Sequence, residues 1–160
     1  MPVPSIDIFE NDSDVLGNGT PINDENPIAF GIASRGSVTP PADEAQTPIH
    51  IWNDQTGALG SDTATNVKIT VAAADNNNDI LLFNGTELNG FQSMLEARST
   101  DALNAPADAQ SAWTPISPTD MLDIGDMPSN SRRSIELRAN VPIDATSMAS
   151  TGLILNVNFI

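Results

Sequence analysis

Ile135-Glu136-Leu137-Arg138-Ala139-Asn140-Val141 places an apolar side chain at every second position and a polar one between. Side chains alternate across a strand, so Ile135, Leu137, Ala139 and Val141 share one face and the charges take the other. Leu153 to Ile160 repeats the pattern, with Leu153, Leu155, Val157 and Phe159 on one side and Asn156 and Asn158 opposite. Between them Pro142-Ile143-Asp144-Ala145-Thr146 reads as a corner, which the proline starts. A strand apolar on one face alone must bury that face against a second layer, which is the signature of antiparallel sheets packed face to face.

Working outward, Asn66-Val67-Lys68-Ile69-Thr70-Val71 alternates as cleanly, with Val67, Ile69 and Val71 on one side. Ile49-His50-Ile51-Trp52 is a β-branched and aromatic run closed by Asn53-Asp54, and Trp113-Thr114-Pro115-Ile116 reads as a short edge strand. Ile80 to Phe83 reads as a strand before the hairpin signal Asn84-Gly85. Phe91 to Arg98 is also read as a strand, although Met94 to Arg98 contains good helix formers. Asp101 to Gln110 is a polar loop, and Pro118 to Asn130, with Gly125 and Pro128, reads as a long connection. No helical period of normal length interrupts the series. The expected fold class is all-β, an antiparallel sandwich over residues 27–160.

Residues 1–26 differ in kind. Pro2, Pro4 and Pro21 and the acidic, turn-rich runs Glu10 to Asp14 and Asn23 to Asn26 break regular structure repeatedly. This stretch is expected to be an extended N-terminal arm. Its apolar island Ile6-Asp7-Ile8-Phe9 admits two readings, a lone edge strand or an anchor that folds against a partner. Ile28-Ala29-Phe30 reads as the first strand of the domain proper.

Charge and composition narrow the function. Asp and Glu number 21 against 6 Lys and Arg, a formal charge of -15, and there is no cysteine. Such a field repels phosphate backbones and anionic lipid, so neither nucleic acid nor membrane is an expected partner. No disulfide or thiolate chemistry is available. Met1-Pro2-Val3-Pro4 lacks the basic and apolar regions of a secretory leader.

Two patches resemble the immunoglobulin-like domains of bacteria and of tailed-phage particles. One is Pro27 to Gly31, then Gly36-Ser37, then Ile49-His50-Ile51-Trp52-Asn53; the other is Ile135 to Val157, in the order strand, Val141-Pro142-Ile143-Asp144-Ala145-Thr146, small residues with Gly152, then a final strand. The resemblance covers both ends of the folded region and leaves its middle uncovered. It implies an immunoglobulin-like sandwich that decorates capsids or builds tails and baseplates.

Catalytic chemistry finds little footing. His50 is the only histidine; its side chain points opposite to Ile49 and Ile51, and it reads as a surface or sheet-edge residue. No Gly-x-Ser-x-Gly elbow accompanies it. Glu96 with Arg98, and Glu136 with Arg138, share strand faces at a two-residue spacing, which points to cross-strand ion pairs rather than to a carboxylate pair for catalysis. Asp75-x-Asn77-x-Asp79 has the first spacings of a calcium loop, but Ile80 stands where the glycine belongs and Thr86 where the glutamate belongs. No metal and no cofactor is therefore expected. Trp52 and Trp113 read as packing residues, and Arg132-Arg133 as a basic pair, either solvated or meeting an acidic patch on a neighbouring copy.

The expected function is structural: a virion protein, a phage capsid decoration or cement protein made in the host cytoplasm. Its partners would be the major capsid protein or other virion proteins, with copies associating on the particle. Ile6, Ile8, Phe9, Arg132 and Arg133 are the candidate partner-binding residues. The alternatives are a tail or baseplate component and a carbohydrate- or receptor-binding module.

Overall fold

A computed structural model describes residues 3–10, 20–23, 25–28, 30, 36–73, 95–100, 112–116, 120–141, 143 and 153–160. They form an all-β sandwich of two antiparallel sheets. The strands are β1 (Ile6–Phe9), β2 (Val38–Thr39), β3 (Ile49–Asn53), β4 (Ala64–Ala73), β5 (Leu95–Thr100), β6 (Thr114–Pro115), β7 (Leu122–Met127), β8 (Ser131–Asn140) and β9 (Leu153–Asn158). The larger sheet runs β1-β3-β8-β5-β6, with β2 paired to β8 beyond the end of β3; the smaller runs β7-β4-β9. Among the described residues the one helical element is a 3-10 turn at Glu44–Gln46.

Alternation explains the core. Ile49, Ile51, Leu95, Ala97, Ile135, Leu137 and Ala139 come from the larger sheet, and Val67, Ile69, Val71, Leu122, Ile124, Met127 and Leu155 from the smaller, and all are buried in one cluster. Each large aliphatic side chain so buried contributes about 1.5–3 kcal/mol, so the two facing rows are the main force holding the layers together.

Several expectations change. The connection expected over Pro118 to Asn130 contains β7. Its burial goes buried, exposed, buried, exposed, exposed, buried, because the ladder to β4 shifts register near Gly125 (φ 75°) and an extra residue breaks the two-residue period. Ile28 and Phe30 are buried in the core, but no strand element forms there among the described residues. Of the two readings open for Ile6–Phe9, the pairing supports the edge strand: it runs in register with β3 from Ile6 opposite Asn53 to Phe9 opposite His50. The Ile80–Phe83 strand, the Asn84-Gly85 turn, the Asp101–Gln110 loop and the Asp75–Asp79 turn lie outside the described residues.

Candidate functional site

Among the described residues, a group of polar, charged and aromatic side chains gathers on the outer face of the larger sheet, and another at the end of the sandwich where β3 stops. Strand register lays the outer face out in rows. Asp7, Trp52 and Arg132 form one row; Phe9, His50, Ser134 and Thr100 form the next. Arg98 beside Glu136 and Glu96 beside Arg138 follow.

On β3, β8 and β5 the first two rows are buried although they face away from the core, while on β1 Asp7 is exposed and Phe9 half-buried. His50 is 2% exposed, Ser134 1%, Trp52 5% and Arg132 5%. His50 is thus not the surface or edge residue expected from the sequence. β3 lies between β1 and β8, and His50 Nδ1 is 2.8 Å from Ser134 Oγ on the neighbouring strand. The guanidinium of Arg132 sits over the Trp52 ring at 5.7 Å.

The next rows are half-open and form the expected cross-strand ion pairs. Arg98 and Glu136 are 2.6 Å apart, as are Arg138 and Glu96. Trp113, just before β6, adds what the spacing did not announce. Arg98 and Arg138 both lie against its ring, at 4.6 and 4.1 Å from the centroid. Both arginines are held between a carboxylate and an aromatic face, which fixes their planes and spends their charge within the sheet.

Arg133 points to the other side of β8. Its guanidinium donates to the Ile124 carbonyl at 3.3 Å and the Asp126 carbonyl at 3.0 Å, stitching β8 to β7 across the two sheets. The Arg132-Arg133 pair, a basic patch in the sequence reading, is built into the sandwich instead: one guanidinium is buried on Trp52 and the other spans the layers.

At the end of β3, Asn53 is fully buried and ties three segments. Its Oδ1 accepts from Ser5 N at 3.0 Å, while Nδ2 donates to the Asp62 carbonyl at 2.8 Å and the Met127 carbonyl at 2.7 Å. Asp54 follows with φ 51° and is 1% exposed. The chain from Gln55 to Ser61 wraps round its carboxylate, which accepts from Leu59 N at 3.4 Å, Ser61 N at 3.2 Å and Ser129 Oγ at 3.0 Å. Burial opposes the charge, but the hydrogen bonds from Ser61, Ser129, Leu59 and Gly60 outweigh it and lower the carboxyl's pKa. Asp7, one strand away, moves the other way: partial burial and then the negative charge of Asp54 raise its pKa. Sequence reading passed over this knot. Asn-Asp followed by Gly57 and Gly60, both at positive φ, is the signal that marks such a side-chain-held loop.

Of the other candidate residues, Ile6 and Ile8 pack against the core, and Phe9 is half-buried on the outer face. Among the described residues no group of three or more His, Asp or Glu side chains is placed to hold a metal ion. What the arrangement does is bind the sandwich to itself; the hydroxyl that stands beside an imidazole among these contacts, Ser134 beside His50, is buried together with it. Compared with known protein families and with curated proteins, the chain matches none.

Proposed function

We propose that this chain is a non-enzymatic structural protein of a virus particle, an immunoglobulin-like decoration or cement protein of a tailed-phage capsid. The observation that supports a scaffold over an enzyme is the use made of its polar side chains. His50, Asn53, Asp54, Arg98, Arg133 and Arg138 each pair with another part of the same fold, leaving the acidic groups to define the exterior. The virus reading rests on the resemblance of Pro27 to Asn53 and of Ile135 to Ile160 to phage sandwich domains. Adhesion comes from area, through the acidic sandwich set on basic patches of a shell and through segment 1–26, whose Phe9 faces outward while Ile6 and Ile8 hold the strand down.

Quantitative proteomics of purified particles from the source tests the proposal. Hundreds of copies per particle are expected for shell decoration. A few to tens would move the chain to the tail or baseplate, and absence from particles would overturn the virion reading.

A further inference from the structure

Among the described residues the sandwich has five strand edges that a further strand could extend, and four of them are guarded. The outer edge of β1 is covered by its own chain, with Glu10 N bonded to the Thr20 carbonyl at 3.0 Å and Ile22 N to the Ile8 carbonyl at 2.9 Å. β2 is two residues long and runs into Pro40-Pro41; β6 is two residues long and one of them is Pro115. β7 is bulged, and Arg133 occupies two of its carbonyls. Short strands, prolines, bulges and positioned charges are the devices by which sheet edges avoid pairing.

β9 has none of them. Leu153-Ile154-Leu155-Asn156-Val157-Asn158 is long, without proline and without charge; no ionisable side chain occurs anywhere from Ala145 to Ile160 in a chain of net charge -15. It pairs on one side with β4 in unbroken register from Lys68 opposite Asn158 to Ala73 opposite Leu153. Among the described residues nothing is bonded to its other side. Thr65 and Ile160 exchange both backbone bonds, at 3.2 and 3.0 Å. Residues of Ile160's parity, Asn156 and Asn158, therefore turn their backbone groups to β4, and Leu155 and Val157 turn theirs outward.

We propose that β9 pairs edge to edge with β9 of a second copy of this chain, antiparallel about a two-fold axis at Asn156, joining two three-stranded sheets into one of six. An antiparallel pair of identical strands is self-complementary, as a two-fold dimer requires. The register must keep inner faces continuous, and centring on Asn156 does so while setting the two exposed amides against each other, with Leu153 opposite Phe159 of the other copy. Leu155, which is buried, then stands opposite the second copy's Val157, which packs on the core, so the apolar layer runs on through the junction. The exposed Asn156 stands opposite its own counterpart, where two amides exchange hydrogen bonds. The occupant is a second copy because an uncharged strand meets an uncharged strand here, whereas the rest of the acidic surface would repel another copy. Pairing through β9 requires no virus particle, so its failure leaves the virion reading standing, and a chain absent from particles can still pair.

The absence of cysteine makes the register directly readable. In Asn156→Cys the two sulfurs face each other across a non-hydrogen-bonded pair with Cα atoms about 4.5 Å apart, within disulfide reach. In Asn158→Cys the two cysteines are offset by four residues, about 14 Å along the strands, out of reach. Mild oxidation should convert most of the Asn156→Cys chain to a covalent dimer and leave the Asn158→Cys chain monomeric. Sedimentation of the unmodified chain should show a dimer that strengthens as salt screens the acidic surfaces. Equal crosslinking of the two variants, no crosslink at Asn156→Cys, or a chain that sediments as a monomer at every concentration and salt would overturn the proposal.

Discussion

Asp54 holds its carboxylate inside the loop that follows β3, and Asp7 sits one strand away with its own charge opposed by burial and by Asp54. Their linkage to folding has opposite signs. A carboxyl whose pKa is lowered on folding stabilises the fold above its unfolded value of about 3.9, and that stability is lost as pH falls through the folded value. Asp54 is this case. A carboxyl whose pKa is raised on folding binds its proton more tightly in the folded state, so stability falls as pH rises from the unfolded value through the folded one. Asp7 is that case. Asp7→Asn should therefore raise the urea midpoint at pH 7, with the gain vanishing below about pH 3.9. Asp54→Asn should lower the midpoint at pH 7, with the cost shrinking as pH falls below the same value. Midpoints measured from pH 7 down to pH 3 check both; parallel lines for all three proteins would sink the assignment.

The ion-pair quartet on β5 and β8 behaves as a single element because both its arginines rest on Trp113. Isolated pairs this exposed contribute roughly 0.2–1 kcal/mol each, and each cation–π contact about 0.5–2 kcal/mol. Trp113→Ala should cost about 1–3 kcal/mol of unfolding free energy and weaken the coupling of Arg98 to Glu136. A double-mutant cycle measured with and without the ring tests this, and an unchanged coupling would reject it. The quartet was legible in the sequence because Glu-x-Arg places both charges on one strand face, and Glu96 and Glu136 each carry that spacing. β4, β8 and β9 were legible for the same reason, an unbroken two-residue period. β7 was not, since an extra residue near Gly125 shifts Met127 out of step with Leu122 and Ile124 and turns a strand pattern into a loop pattern. Nor was the burial of His50 and Arg132. Alternation shows that a side chain leaves the core face, but whether that side is open to water depends on contacts distant in sequence. Ile6–Phe9 was left between two readings because four residues carry too short a period to show what they pair with.

At the scale of the molecule, the described arginines lie in strands and meet carboxylates, carbonyls or indole rings, so few positive charges are left to offset a net charge of -15. The acids repel one another over distances comparable to a Debye length, about 10 Å at 0.1 M salt and 3 Å at 1 M. The melting temperature should rise when sodium chloride is raised from about 0.01 to 1 M, over which the Debye length shortens from about 30 to 3 Å. A melting temperature that falls throughout would show that the internal ion pairs matter more than the surface field. The same placement of basic residues has a consequence for proteolysis. Lys68, Arg98, Arg132, Arg133 and Arg138, five of the chain's six basic residues, all lie within paired strands. A protease that cuts after basic residues can reach those five bonds only after a sheet has come apart. Digestion at those sites under folding conditions therefore counts the openings of the sandwich, strand by strand.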